Sequence, residues 1–386
     1  MKKNVPAVSI IMPMYNVEKY IGECLDSILN QTFTDYEVIA VDDCSTDKTC
    51  EVVESYLPKF NGGGGEKLYL LRSKVNSGGN VGIPRNKAIR LSRGKYLFFM
   101  DSDDAIVDDA LKILYDTAEK FNVDVVHCEK YFQAPDDTVT TDKNLLKENS
   151  DEKVEFVVEP TFMSDDIEDR VRDFGNHKII GYPWNKLIRR DLIAEHNIEF
   201  PLLRCGDDHV FSFFVICLAK KILRIPNPLY VWRKSPEGVT HGKLPVEKML
   251  HRWTDSLFRG VGIIDEFMNQ FEVFNRKPEY RHLIFETFIH YHFGHAFPVY
   301  AQIPAHLLDP LIRRELSEVK YKTALTAFLF ARMNLFNVQL LRAQNLLRQQ
   351  PKEVQDFQRN NEIIQRQQLQ IQQLQQQLRN VHDIFR

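Results

Sequence analysis

The run Tyr96-Leu97-Phe98-Phe99-Met100 is followed without a break by Asp101-Ser102-Asp103-Asp104. Five consecutive apolar or aromatic residues ending this abruptly read as a strand buried on both faces, the state of strands inside a mostly parallel sheet. Sheets of that kind place their ligands beyond the carboxyl ends of the strands. The acids therefore project into that crevice, and a kink at the strand end could let Asp101 and Asp103 point at one ligand. Carboxylate oxygens suit a hard cation such as Mg²⁺ or Mn²⁺, which commonly bridges to a substrate's phosphates. The competing reading is a solvated turn that caps the next helix, a role in which Asp is common.

The neighbouring segments decide between the two. Val8–Ile11 reads as a strand closed by Pro13, with Tyr15-Asn16 as the turn. A helix follows from Val17 to Asn30, carrying Ile21, Leu25, Ile28 and Leu29 on one face. Val38–Val41 is a second strand ending in Asp42-Asp43, and Ser45 or Thr46 caps the next helix. Asn61–Gly65 is a flexible surface link; no Lys-Ser/Thr follows it, so it is not a phosphate-cradling loop. Leu68–Leu71 is a third strand, Asn76–Asn80 a turn, and Pro84 fits the first turn of a helix that runs to Leu91. A helix after Asp108-Asp109 and a strand at Asp124–Cys128 continue the alternation, which specifies a doubly wound α/β domain. Pro13-Met14-Tyr15, Asp42-Asp43 and Asp101-Ser102-Asp103 then lie along one sheet edge, a convergence that turn capping does not explain.

Residues 131–165 are polar and acidic, with one β-like run at Val154–Val158, and read as an excursion beside the crevice. Gly181–Leu187 leads into a helix at Arg190–His196, and Gly206 into an apolar helix that ends near Ala219. Asp207 and Asp208 fall in the first turn of that second helix, where the macrodipole favours a charged carboxylate by about 0.3–1 kcal/mol and tends to depress its pKa. Ile222–Ile225 and Tyr230–Trp232 read as closing strands, with Arg233 at the edge of the crevice.

A net charge of -3 over 386 residues gives no global basic field for nucleic acid or a membrane. No stretch approaches the ~18 apolar residues of a spanning helix, and Met-Lys-Lys-Asn lacks the apolar run of a signal peptide. Six scattered cysteines without Cys-x-x-Cys pairing read as reduced thiols. The expectation is a cytoplasmic protein, with peripheral contact at the inner face of the membrane as the variant.

With these residues in place, the chain resembles the family 2 inverting glycosyltransferases, which have the nucleotide-sugar-binding GT-A fold. The motifs are Val8–Asn16, Val41–Asp47, Arg85-Asn86-Lys87-Ala88, Asp101–Asp104, Trp184-Asn185-Lys186-Leu187 and Gly206–Phe211, over about residues 5–240. The resemblance implies a UDP-sugar donor, a glycan or glycolipid acceptor and Mn²⁺ or Mg²⁺. Pro13 and Tyr15 would frame the nucleobase. Asp42 or Asp43 would accept from base or ribose, and Arg85 would approach the base or diphosphate as a fixed cation. Asp101 would hold the ribose, with Ser102 beside it, and Asp103 would ligate the metal. Asp208 corresponds to the general base, and Asp207 stands where the family usually has Glu, with the charge kept and the reach shorter. Arg233 and Thr240 would belong to a loop closing on the diphosphate, where Gly238-Val239 departs from the usual Gly-Ser-Ile. On the acceptor side stand Lys186, His209, which neighbours the base, and Trp184, which could be a sugar platform or pack in the core with Pro183.

The expected boundaries are a catalytic domain at 1–240, a helical subdomain at 241–350 and a Gln-rich coiled coil at 351–386. Phe357, Ile364, Ile371, Leu378 and Phe385 recur every seven residues, a seam that would make the protein a homo-oligomer. His290, His292 and His295 lie among aromatics without carboxylate partners at metal-ligand spacing. Two other functions compete. A sugar nucleotidyltransferase would carry a Gly-rich, basic loop after the first strand, where Met12–Asn16 stands instead. A non-catalytic scaffold has no use for Asp101, Asp103 and Asp208 in one crevice.

Overall fold

The computed structural model describes residues 5–300 apart from 63–65, 135–140, 142, 144–145, 150–155, 180 and 234–245. The Gly238-Val239-Thr240 loop, the helices expected over 305–350 and the heptad run lie outside the described residues. So does the start of the β-like run at Val154–Val158, whose remaining residues are not in a strand.

In chain order the elements are β1 (Val8–Met14), α1 (Ile21–Leu29), β2 (Tyr36–Asp42), α2 (Thr49–Asn61), β3 (Leu68–Arg72), α3 (Gly82–Leu91), β4 (Tyr96–Phe99), β5 (Ala105–Ile106), α4 (Ala110–Phe121) and β6 (Val125–Cys128). Then come β7 (Phe132–Gln133), β8 (Lys147–Glu148), β9 (Thr161–Phe162), α5 (Ile167–Gly175), β10 (Lys186–Arg189), α6 (Arg190–Glu195), α7 (Asp207–Leu218), β11 (Ile222–Ile225) and β12 (Tyr230–Trp232). Three helices follow: α8 (Val246–Met268), α9 (Glu272–Arg276) and α10 (Pro278–Tyr300). The chain forms two compact units, one of residues 1–245 with 259–294 and the other of 246–258 with 295–386. The first unit thus takes in residues that the expected boundary at 240 assigned to a helical subdomain. All that follows concerns this unit.

Its main sheet has the order β3-β2-β1-β4-β10-β6-β11-β9. The first four strands are parallel, and their register sets the site: Val8 lies opposite both Tyr36 and Tyr96, and Met14 lies opposite Asp42. The residues after β1, β2 and β4 therefore emerge at one edge. Pro13, which has no N–H to give a ladder, sits beyond the last β1–β4 pair, Ile11 with Phe99.

The sheet is mixed, not parallel throughout. β10 lies antiparallel between β4 and β6, with Leu187 opposite both Phe98 and Val126. The chain reaches this gap at the carboxyl edge of the parallel strands, through a 3₁₀ turn at Pro183–Asn185, and must run away from that edge. Lys186, at the start of β10, is thereby left beside the crevice. A second sheet, β5-β12-β7-β8, carries Tyr230 and Arg233 back toward the acidic cluster.

Both faces of the main sheet are covered. Val8, Ile10, Val38 and Phe98 pack with Leu25, Ile28, Val53 and Leu114, each such side chain contributing about 1.5–3 kcal/mol on burial. On the other face Phe99 meets Phe200 and Phe211 edge-on at 5.3 Å, and those two rings stack at 3.9 Å. This aromatic layer seats α7 against the end of β4. Two local expectations change. α1 begins at Ile21, after a turn in which Tyr20 N–H donates to Val17 O. At the start of α2 the N-cap position is Lys48, and Asp47 just before it accepts from Thr49 N–H at 3.0 Å and its hydroxyl at 2.6 Å. The Ser45 hydroxyl is taken up instead by Asn16 N–H at 3.0 Å.

Candidate active site

The loop after β1 is a rigid shelf. Asn16 adopts a left-handed backbone, φ 51°, and its side-chain oxygen accepts from Thr46 N–H at 2.8 Å. The ring of Tyr15 stands exposed beside this clasp while Pro13 is buried. Asp42 accepts from Ser45 N–H at 3.1 Å. Asp43 accepts from the Ser77 hydroxyl at 2.6 Å and Ser77 N–H at 2.9 Å, tying the 76–80 turn to the end of β2. Burial raises the Asp43 carboxyl, with the Ser77 hydrogen bonds acting in the opposite direction.

The acids after β4 are supported from behind. Tyr230 accepts from Asp101 N–H at 3.1 Å and donates to Asp104 at 2.7 Å. Asp104, fully enclosed, also accepts from Arg233 N–H at 2.7 Å. The Arg233 side chain is buried, donates to Asp103 O at 2.7 Å, pairs with Glu23 and lies over the Tyr20 ring at 4.7 Å. Burial, then the charge of Asp101, pushes the Asp103 carboxyl up to about 6, and Asp104 is raised by burial first and then by the charges of Asp103 and Asp101. Ser102 is buried between them. Asp104, Tyr230 and Glu23 were not assigned roles from the sequence. The acidic run after β4 is the signal for Asp104 and the Tyr-x-x-Arg spacing that for Tyr230; Glu23 has none, because only folding brings α1 here.

Opposite this cluster, one guanidinium gathers three acids. Arg85, on α3, is 4% exposed and donates to Asp101 at 2.8 Å, to Asp207 at 3.4 Å and, most closely, to Asp208. α3 is fixed there by Asn86, which donates to Phe200 O at 2.9 Å and accepts from Phe200 N–H at 2.8 Å. Asp207 and Asp208 lie in the first turn of α7, after Gly206 at φ +77°. The sequence led us to expect depressed carboxyl pKa values in this turn. Both are raised, by burial first, with Arg85 opposing. The macrodipole contribution of about 0.3–1 kcal/mol is the smaller effect once a carboxylate loses water.

Beside Asp208 lie the residues expected on the acceptor side. The buried Lys186 ammonium donates to Tyr182 O at 2.6 Å and Asn185 Oδ1 at 2.8 Å, and burial pushes it down to about 7. Trp184 is not available as a platform. It is 5% exposed, and its ring stacks between Tyr182 at 5.0 Å and Tyr230 at 4.5 Å, so packing in the core is its observed role. His209 is partly exposed, with its ring 5.8 Å from Tyr182 and 4.2 Å from Tyr291.

No three His, Cys, Asp or Glu side chains among the described residues converge as a metal cage. The donors at the crevice are carboxylates, of which Asp103 is raised by burial first and then by the charge of Asp101. This chemistry fits a hard cation taken up on one or two carboxylates, with water and substrate phosphate completing its shell.

Comparison with known proteins agrees with this geometry. The model of "Glycosyl transferase family 2" matches residues 9–196. The putative glycosyltransferase EpsH of Bacillus subtilis is 30% identical over 291 residues, covering 74% of this chain and 75% of that protein. The poly(ribitol-phosphate) beta-N-acetylglucosaminyltransferase TarS of Staphylococcus aureus is 31% identical over 233 residues, 60% of this chain and 36% of that protein. A crystal structure of TarS matches with a TM-score of 0.52 at 26% identity, covering 74% of this chain and 43% of that one. TarS 1-349 in complex with UDP-GlcNAc matches with a TM-score of 0.57 at 24% identity, over 80% and 79% of the two chains, a likeness of fold.

Proposed function

This chain belongs to glycosyl transferase family 2 and has its GT-A fold, and from that premise we propose that it transfers a sugar from a UDP-sugar to a hydroxyl of a cell-surface glycan, with inversion. The reading rests on one arrangement. Asp208, partly exposed at the start of α7, shares the Arg85 guanidinium with Asp101 at the end of β4. A proton acceptor and the donor-side acids are thus set one side chain apart.

On the donor side, the exposed Tyr15 ring at the end of β1 would stack on the nucleobase. Asp42 and Asp43, at the end of the adjoining strand, would accept from base or ribose. Asp103 would hold Mg²⁺ or Mn²⁺, with Asp101 directed toward the ribose. The metal, when bound, neutralises charge on the diphosphate leaving group. On the acceptor side, Asp208 would take the hydroxyl proton as that oxygen attacks the anomeric carbon. Burial raises its basicity above that of an exposed carboxylate while Arg85 keeps it oriented. One displacement from the face opposite the nucleotide requires no enzyme nucleophile and inverts the centre. Two relatives are named as poly(ribitol-phosphate) beta-glycosyltransferases, and a β product is what inversion of an α-linked nucleotide sugar yields.

The test is a donor screen on the full chain with Mn²⁺ or Mg²⁺, reading nucleoside diphosphate release and thermal stabilisation across UDP-glucose, UDP-N-acetylglucosamine and GDP-mannose. Ligand at a hundredfold excess over its Kd stabilises by roughly 2.7 kcal/mol. A metal-dependent response to a UDP-sugar, absent in Asp103→Ala, is expected. Binding of no nucleotide sugar with either metal would overturn the catalytic reading and bring the scaffold forward.

A further inference from the structure

Beyond the residues matched by the family model, α10 reaches the proposed base. Its seat is built from glycines. A Cβ at Gly206 would lie 2.5 Å from the His292 ring and 3.1 Å from Phe288, and one at Gly260 would lie 2.2 Å from Phe288. The Thr287 hydroxyl donates to Gly175 O at 2.8 Å, tying α10 to the end of α5. A side chain at Gly206 would hold α10 away from the start of α7, so the close approach is specified by that residue.

The approach delivers Tyr291. Its ring packs at 4.2 Å on His209, the neighbour of Asp208, and His209 meets Tyr182 edge-on at 5.8 Å. Tyr182, Asp208, His209 and Tyr291 are all partly exposed. Burial raises both tyrosine hydroxyls, with a neighbouring tyrosine next (Tyr131 for Tyr182, Tyr182 for Tyr291) and then the Asp208 charge acting in the same direction. Three partly exposed aromatic rings from three separate segments therefore meet at the residue that follows the proposed base. Trp184, buried beneath Tyr182, leaves these rings as the aromatic surface beside the base.

We propose that Tyr182, His209 and Tyr291 form the acceptor subsite, binding the C–H face of a pyranose ring so that one of its hydroxyls is offered to Asp208. Aromatic rings take up the apolar face of a sugar. This rests on the transferase reading for the role of Asp208, but ring binding itself does not need donor turnover. Tyr291 sets acceptor choice from outside the residues that the family model matches.

The experiment is saturation-transfer NMR on the full chain without nucleotide, with methyl β-D-glucopyranoside and methyl N-acetyl-β-D-glucosaminide as probes. It is run on wild type, Tyr291→Phe and Tyr291→Ala, with melting temperatures recorded to show each variant folded. Expected is binding in wild type and Tyr291→Phe, and a Kd raised roughly tenfold in Tyr291→Ala, the scale of one lost aromatic contact. In turnover with UDP-N-acetylglucosamine, Tyr291→Ala raises the KM of the glycoside and not that of the donor. Equal glycoside binding by wild type and Tyr291→Ala overturns the proposal, as does a wild type that binds neither glycoside. If the glycoside pattern holds and no UDP is released under any condition, the subsite stands and the transferase reading falls.

Discussion

Arg85→Met removes the guanidinium that pairs with Asp101, Asp207 and Asp208 and keeps most of the side-chain volume. In the wild type, ion pairs at 2.8 Å to Asp101 and 3.4 Å to Asp207, with the closer one to Asp208, hold these acids in a site from which water is largely excluded. At an effective dielectric constant of about 20, one such contact is worth roughly 4 kcal/mol before desolvation is subtracted. Breaking a buried pair from one side typically costs about 3–5 kcal/mol, because the remaining charge is left uncompensated. We expect a loss of that size at about pH 8, a large part of the ~5–15 kcal/mol that a domain has in total. The pH dependence identifies the cause. The carboxyls of Asp207 and Asp208 are already raised by burial in the wild type. An acid with a raised folded pKa contributes most below its unfolded value, and that contribution falls as pH rises through the window between the two. Without Arg85 the folded values move further up, so the window widens toward neutrality. The deficit should therefore be largest at about pH 8 and shrink by about pH 5.5, as the acids take up protons. Urea unfolding at the two pH values, with an unchanged m-value, measures it. A deficit of the same size at both would mean that the loss is one of packing, and the charge argument would be refuted.

Other outcomes follow from the same geometry. Asp208→Asn should lower kcat by about two to four orders of magnitude while UDP-sugar still stabilises the fold, read by single-turnover UDP release and melting; equal loss of donor stabilisation would place Asp208 in donor binding instead. Burial pushes Lys186 down to about 7 from 10.5, and a base with a lowered folded pKa makes stability rise with pH between those values. Lys186→Met should flatten that rise in melts across the window, and an unchanged slope would assign it to other groups. The heptad run at 357–385 leads us to propose a coiled-coil homo-oligomer. A chain ending at residue 350 should then scatter light as a smaller particle, and an unchanged particle size would refute the coil.

Much of the frame was legible in the sequence because it depends on short-range chemistry. Periodicity marks β1 to β4 and their helices, since burial of a strand or of one helix face is written at spacings of a few residues. For the same reason Asp101 and Asp103 could be set at a strand end, and Asp207 and Asp208 in the first turn of a helix. β10 was missed: four residues, beginning with a lysine, give little periodic signal, and only the gap between β4 and β6 makes them a strand.

What the tertiary structure decided is which distant residues meet. Arg85 is 16 positions from Asp101 and 122 and 123 from Asp207 and Asp208, yet one guanidinium serves all three. Trp184 lost its place as a platform because Tyr182, two residues before it, and Tyr230 from the distant β12 cover its faces. The raised acids of α7 oppose the expectation from the helix dipole for the same reason. A dipole belongs to the local backbone and can be read from the chain, whereas removal from water depends on every segment that packs around the group.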